Sequence, residues 1–126
     1  MMKKTEAKKP VMEKAMASRI LRVVPSHEGF HFFKALGDAS GKTATSLTDF
    51  VEKLSTVDIR SVDFHFPRHD FEKWIRDVIG DAELPRRMGK IGKETHGESL
   101  RNEIIQMVKK RLEELKETQT KTEKST

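Results

Sequence analysis

The most regular feature of the chain is an apolar stripe between residues 71 and 79. Apolar side chains recur there at positions i, i+3, i+4, i+7 and i+8, which are Phe71, Trp74, Ile75, Val78 and Ile79. Residues with this spacing share one face of an α-helix, and Gly80 is suited to end it. The pattern therefore predicts a helix from Asp70 to Ile79 that buries this stripe in a core.

Comparable stripes predict four further helices on both sides of this segment. Their apolar positions are Leu47, Phe50, Val51 and Leu54; Ile59 and Val62; Leu84, Met88 and Ile91; and Leu100, Ile104, Val108, Leu112 and Leu115. Each stripe is preceded by a residue suited to cap the first helical turn: Ser46 with Asp49 in the capping-box position, Asp58, Asp81, and Thr95 or Ser99.

The remaining segments predict how a single domain is bounded. Residues 1–10 are Lys-rich and lack apolar periodicity, so we expect a disordered basic arm. Residues 25–116 are expected to form a single helical domain, and the polar residues 117–126 a disordered tail. Residues 11–24 are predicted to form an amphipathic helix because their apolar side chains have helical spacing: Met12, Met16, Ile20, and Val23 or Val24.

A strand is predicted near Phe30–Leu36, where the sequence is short and aromatic. Residues 37–45 are predicted to be a loop, so this strand has no partner for its backbone groups. Residues 62–66 also alternate like a strand, but their helical neighbours favour a helix. The predicted fold is therefore all-α or nearly so: a compact bundle of about four or five helices with one short strand and disordered ends.

Composition narrows the class of protein. The chain has 126 residues, which suits one domain, and no cysteine, which excludes disulfides and cysteine-bound zinc. No apolar run approaches the roughly 20 residues of a membrane span, so we predict no membrane span and a cytoplasmic location. Charged residues of both signs make up 36% of the chain, a composition typical of thermophiles.

The net charge of +5 is concentrated near the start of the chain. Residues 1–28 carry +4, residues 29–95 are neutral and residues 96–126 carry +1. A basic arm attracts nucleic acid, although a solvated tail that keeps the protein soluble is the simpler interpretation. A nucleic-acid-binding role would use this arm and a small basic cluster further along the chain, namely Lys3, Lys4, Lys8, Lys9, Arg86, Arg87 and Lys90.

The densest polar cluster lies around the start of the helix predicted at 70–79. It contains His65, Arg68, His69 and Asp70, which we treat as candidate binding residues. His and Asp side chains transfer protons or bind metals elsewhere, and Arg holds anions. Structural roles are favoured here: His69 or Asp70 would cap the helix, Arg68 would pair with a carboxylate, and His65 would satisfy a buried backbone group.

The segment Gly37-Asp38-Ala39-Ser40-Gly41-Lys42-Thr43 imitates a phosphate-binding loop. That motif has four residues between its glycines and passes directly into a helix. Here three residues separate the glycines, and further residues precede the cap at Ser46. We therefore predict no nucleotide cofactor, and nothing else in the sequence calls for a cofactor or a metal.

Two motifs carry a resemblance to a known family. They are Phe-His-Phe-Pro-Arg-His-Asp-Phe-Glu-Lys-Trp-Ile at 64–75 and Gly-Glu-x-Leu-Arg at 97–101. Together they resemble the signature of a family of short archaeal and bacterial proteins described only as a domain of unknown function. The resemblance covers about residues 30–115, with Pro85 and His69 departing from it. It implies an all-helical or nearly helical domain and no known activity.

These observations predict a non-catalytic binding or regulatory module that acts through protein–protein contacts, self-association included. The alternative is a nucleic-acid-binding accessory protein that uses the basic arm, and the third is an enzyme or metal site at His65, Arg68 and Asp70. An exposed apolar patch on the final helix would favour the first, and a continuous basic face the second. A cleft in which the three polar side chains converge would favour the third.

Overall fold

The computed structural model describes residues 14–124, and their elements follow one another with short connections. A helix over residues 14–20 (α1) precedes a 3-10 turn, Ser26–Glu28, and two strands. The elements after the two strands are helical. The bounds of the strands and of these helices are β1 Phe30–Ala35, β2 Asp38–Ala44, α2 Leu47–Thr56, α3 Ile59–His65, α4 Asp70–Trp74 with its π-helical continuation Ile75–Ile79, α5 Glu83–Met88, and α6 Gly97–Lys124. The basic arm predicted at 1–10 lies outside the described residues.

The prediction of an all-α or nearly all-α bundle is wrong, because β1 and β2 form a two-stranded antiparallel sheet. The partner of the predicted strand is the segment that the sequence assigned to a loop. That segment, Asp-Ala-Ser-Gly-Lys-Thr-Ala, lacks the alternating apolar residues that indicate a strand. It pairs because Gly37, with φ +72°, closes the turn, and Gly41, with φ +85°, lies where the register shifts. The fold is a helix-rich mixture of α and β.

The helix predicted from Asp70 to Ile79 is confirmed, although its second half is π-helical. Its apolar stripe is buried in the core, apart from Val78, which is partly exposed. Gly80 ends the helix with φ +94°, a conformation that residues with a β-carbon rarely adopt. Local periodicity was therefore sufficient to locate this element and its inward face.

Three of the caps predicted from the apolar stripes are also confirmed. The fourth, at Thr95 or Ser99, is wrong, because α6 begins at Gly97 and neither side chain accepts a hydrogen bond from its first turn within the described residues. Ser46 and Asp58 each accept a hydrogen bond from an amide in the first turn of α2 and α3, and Asp81 accepts two from the first amides of α5. Helix α6 runs to Lys124, so helix replaces most of the tail predicted at 117–126. Within residues 14–124, none of the helices combines the length and apolarity needed to cross a bilayer.

Aromatic rings from the hairpin and the helices meet at the centre of the core. The ring centroid of Phe30 lies 4.8 Å from that of His65 and 5.1 Å from that of Phe71. The indole N–H of Trp74 donates a hydrogen bond to the carbonyl of Glu28 at 2.9 Å. These contacts seat the inner face of β1 on α3 and α4, and they place the last residue of α3 against the hairpin.

An ion-pair network joins α5 to α6. Asp81 is 2% exposed and accepts two hydrogen bonds from Arg111, both at 2.9 Å. Arg111 also donates to Glu114 at 3.1 Å, and Glu114 accepts two bonds from Arg87. Arg87 in turn donates to Glu83 at 2.8 Å. Each charge in this chain of contacts has a neighbour of opposite sign, which offsets the cost of burying Asp81.

Candidate functional site

Three of the four predicted site residues, His65, Arg68 and Asp70, meet where α3 turns into α4. His65 is the last residue of α3 and Asp70 is the first of α4, so the short turn between them brings their side chains together. The Oδ2 atom of Asp70 accepts hydrogen bonds from His65 Nδ1 and from Arg68 Nε, both at 2.9 Å. The predicted pairing of Arg68 with a neighbouring carboxylate is confirmed.

Both ring nitrogens of His65 are engaged in structural contacts. Its Nε2 accepts a hydrogen bond from the Phe33 amide at 2.8 Å, so the ring proton lies on Nδ1 and is donated to Asp70. His65 is 4% exposed, and this burial lowers its pKa although Asp70 acts in the opposite direction. The predicted role of His65, to satisfy a buried backbone group, is confirmed, and the bond ties β1 to α3.

Asp70 is the common acceptor of the cluster. Burial raises the pKa of its carboxyl group, but the hydrogen bonds from His65 and Arg68 together outweigh this effect. The pKa of Asp70 is therefore lower than its usual value. The prediction that His69 or Asp70 caps the helix through its side chain is wrong. His69 occupies the cap position without such a bond, and the Asp70 carboxylate is directed to His65 and Arg68 instead.

A pocket of about 440 Å³ opens beside the cluster, between the hairpin and the end of α3. Its walls include the rings of Phe30, Phe33 and Phe64, and Arg68 lies at its edge. The guanidinium of Arg68 lies over the Phe64 ring, 4.9 Å from its centroid, and its side chain is 50% exposed. Among the described residues, the two terminal nitrogens of Arg68 have no hydrogen-bond partner. The lining of this apolar pocket therefore includes one positively charged group, the guanidinium of Arg68.

The tip of the hairpin adds an exposed apolar side chain to this pocket. Leu36 lines it and is 81% exposed. An exposed apolar patch on the final helix would have favoured protein binding, but the described part of α6 has none. The large exposed apolar side chains of the described residues lie elsewhere: Met16, Val23 and Leu36. Sequence reasoning did not place Phe33, Leu36 or Phe64 at the site, since their grouping depends on a hairpin that it did not predict.

His69 is separated from the other three predicted site residues. Its backbone has φ +63°, in the left-handed region, and its Nδ1 donates to Glu72 Oε1 at 2.8 Å. His69 and Glu72 line a second cavity, of about 480 Å³, which shares no lining residue with the first. The structure therefore divides the predicted cluster between two cavities, because the turn at 66–69 sends consecutive side chains in different directions.

The structure gives less support to the metal-site and nucleic-acid-binding hypotheses. Across residues 14–120, whose side chains are described, no group of three or more His, Asp or Glu side chains is placed to hold a metal ion. On α5, Arg86 and Arg87 donate to Glu83, and Arg87 also reaches Glu114, so their charges are offset within the domain. Lys90 is exposed. The rest of the proposed nucleic-acid surface lies outside the described residues: Lys3, Lys4, Lys8 and Lys9.

Comparisons with known proteins place the chain but assign it no activity. A family model described as a family of unknown function (DUF5752) matches residues 27–126, in agreement with the resemblance found in the sequence. No curated protein matches the chain, and no solved structure matches it.

Proposed function

We propose that this chain, which belongs to the DUF5752 family of unknown function, is a non-catalytic, cytoplasmic binding module that holds a segment of a protein partner between its hairpin and α3. The partner segment presents an apolar side chain to Phe33 and Phe64 and a carboxylate to Arg68. The observation that carries this proposal is that the guanidinium of Arg68, which lines an apolar pocket, is hydrogen-bonded within the described residues through Nε alone.

Arg68 is held in the orientation that an anion receptor requires. Asp70 fixes its Nε and the Phe64 ring supports its plane, so the two terminal nitrogens are left for a ligand. A guanidinium binds a carboxylate through two parallel hydrogen bonds. Because the side chain is positioned beforehand, less conformational entropy is lost on binding. A carboxylate is therefore the group that this edge of the pocket fits best.

The rest of the pocket favours an apolar side chain from a protein. Its volume of about 440 Å³ accommodates a residue the size of Leu or Phe. Leu36 stands beside the opening and is almost fully exposed, and covering such a side chain stabilises a complex by about 25 cal/mol per Å² of apolar surface buried. Leu36 extends the apolar lining formed by Phe33 and Phe64, and contiguous apolar surface of this kind is typical of protein-binding sites.

The hydrogen bonds of the cluster favour binding over catalysis. His65, Arg68 and Asp70 do converge beside a cleft, the arrangement that would favour an enzyme. An acid–base catalyst needs a nitrogen or oxygen within reach of its substrate. Here His65 accepts from the Phe33 amide and donates to Asp70, so it cannot exchange a proton with a ligand without breaking a contact that holds the fold. Nucleic-acid binding is also less supported, since the α5 arginines are paired.

A selection of random displayed peptides against the immobilised full chain tests the proposal. We expect the recovered peptides to combine an apolar residue with an adjacent acidic residue or a C-terminal carboxylate. Arg68→Gln keeps a polar side chain of similar reach but removes the charge, and it should weaken these peptides about tenfold or more, the loss of one charge-assisted contact.

The matched control is Arg60→Gln, because Arg60 is an exposed arginine that pairs with Asp58 away from the pocket. It should leave peptide affinity unchanged, and thermal melts should show that both variants are folded. Peptides that bind wild type and Arg68→Gln equally well, or a selection that recovers no acidic peptides, would exclude this binding mode.

A further inference from the structure

The second cavity has the properties of a separate site for a small molecule. It lies between the α3–α4 turn, the end of α5 and the loop that leads to α6. Its apolar walls come from Phe66, Met88, Ile91 and Leu100. A volume of about 480 Å³ is within the range of about 300–1,000 Å³ found for ligand pockets. It shares no lining residue with the Arg68 pocket, so the two sites can be tested with separate variants.

The carboxylate of Glu72, whose side chain is 12% exposed, is one of the polar groups that line this cavity. Its Oε1 accepts from His69, whereas its Oε2 has no hydrogen-bond partner among the described residues. Oε2 lies beside Gly89, which lines the same cavity, 3.9 Å from where a β-carbon would stand. Oε2 is not fully withdrawn from solvent, so it is an open acceptor on the wall of the cavity. A ligand that supplies a charged donor gains a charge-assisted hydrogen bond there.

His69 holds Glu72 in place at a conformational cost. A non-glycine residue at φ +63° and ψ 26° is strained. This backbone conformation brings the imidazole to within 2.8 Å of Glu72 Oε1 and leaves Oε2 as the free acceptor. The strained turn therefore positions an unpaired carboxylate oxygen on the wall of the cavity, and backbone strain of this kind is often found at binding sites.

We propose that this cavity binds a small organic amine. The ammonium group donates to Glu72 Oε2, and the alkyl or aryl body packs against Phe66, Met88 and Leu100. An ammonium has only donors to offer, and its bond to a carboxylate is charge-assisted. Asp63 adds a second carboxylate to the lining and Lys93 one positive charge, so the charged groups of the cavity are mostly acidic.

Phenethylamine is the probe, and phenethyl alcohol is a neutral control of nearly the same shape. Titrations of the full chain followed by amide chemical shifts should show saturable binding of the amine at Gly89, Lys93 and Thr95, with the alcohol at least tenfold weaker. Glu72→Gln should weaken the amine at least tenfold and leave the alcohol unchanged. Glu52→Gln, at an exposed glutamate of α2 outside the cavity, should change neither affinity.

A second variant separates a positioning role of His69 from a structural one. His69→Gly removes both the imidazole and the strain, so the melting temperature should stay the same or rise while amine affinity falls several-fold. Absence of saturable amine binding, equal affinity of wild type and Glu72→Gln, or shifts confined to Phe33 and Leu36 would each overturn the proposal. Only the last of these outcomes would bear on the Arg68 pocket.

Discussion

At the scale of single residues, His65 shows how one side chain joins elements that are distant in sequence. It accepts from the Phe33 amide, donates to Asp70 and lies against the ring of Phe30. A neutral imidazole with its proton on Nδ1 satisfies all of these contacts, whereas a protonated one would place a second donor opposite the Phe33 amide. The hairpin is therefore held by a bond whose acceptor is lost when the ring is protonated.

We predict that the free energy of unfolding falls as the pH drops below about 6.5, because of His65. Burial lowers its pKa in the folded protein below the usual 6.5, so in this range the unfolded chain binds more protons. The contribution is fully present above pH 6.5 and is lost as the pH falls to the folded pKa, with a slope of at most about 1.4 kcal/mol per pH unit. Urea denaturation between pH 7.5 and 4.5 measures this slope.

His65→Gln supplies the control for this titration. Glutamine retains an acceptor for the Phe33 amide but does not titrate, so the variant is expected to lose stability uniformly and to lack the His65 slope. The exposed histidines, His27, His31, His69 and His96, remain in both proteins and cancel in the comparison. A wild type whose stability is constant from pH 7.5 to 4.5, or a slope that survives in the variant, would show that the His65 contact does not hold.

At the scale of secondary-structure elements, the hairpin depends on backbone conformation more than on side chains. Strand β2 is mostly small and polar, and it follows β1 after a turn of two residues, Leu36 and Gly37. Gly37 adopts φ +72°, and nothing lies within 4 Å of where its β-carbon would be. Glycine is therefore required here because of the backbone conformation, and not because a β-carbon would contact a neighbouring residue.

We predict that Gly37→Val destabilises the protein by about 1–3 kcal/mol, the usual cost of a strained backbone conformation. Gly37→Asn should cost less, since Asn tolerates left-handed backbone better than other residues with a β-carbon. Urea denaturation of both variants gives the two values. Equal costs for Val and Asn, or no cost for either, would mean that the turn has a different conformation.

The helices and the hairpin differ in how far the sequence predicted them. The stripe at 71–79 and the caps at Ser46, Asp58 and Asp81 are local patterns, so they could be found without knowledge of the fold. The pairing of β2 depends on two glycines and a partner strand, and its sequence carries no periodicity. The Arg68 pocket was missed for the same reason, although Arg68 itself was predicted, because Phe33 and Leu36 reach it only through that pairing.

At the scale of the whole molecule, charge is arranged to join α5 to α6. Asp81 is buried and binds both the first amides of α5 and the guanidinium of Arg111. Glu114 continues the network to Arg87. Most of the other ion pairs in the described part are at least partly exposed, and exposed pairs contribute little to stability. The buried pair is therefore the one whose loss should be felt throughout the domain.

We predict that Arg111→Gln destabilises the protein by about 3–5 kcal/mol, the range for a buried charge left without its partner. Thermal and urea denaturation should both show the loss. Arg76→Gln is the matched control, because Arg76 pairs with Asp77 on the surface, with both side chains more than half exposed, and should change stability by at most about 0.5 kcal/mol. Similar losses for the two variants would show that Asp81 does not rely on Arg111.

The position of α6 in the chain order matters during synthesis on the ribosome. Helix α6 packs on α2, α3 and α5 and supplies Leu100 and Ile104 to the core. All of its neighbours emerge from the exit tunnel first. Translating its 28 residues at about 5–20 residues per second takes about 1–6 s. For that interval the buried faces of α2, α3 and α5 lack the side chains of α6 that cover them, so the core cannot close until α6 has emerged.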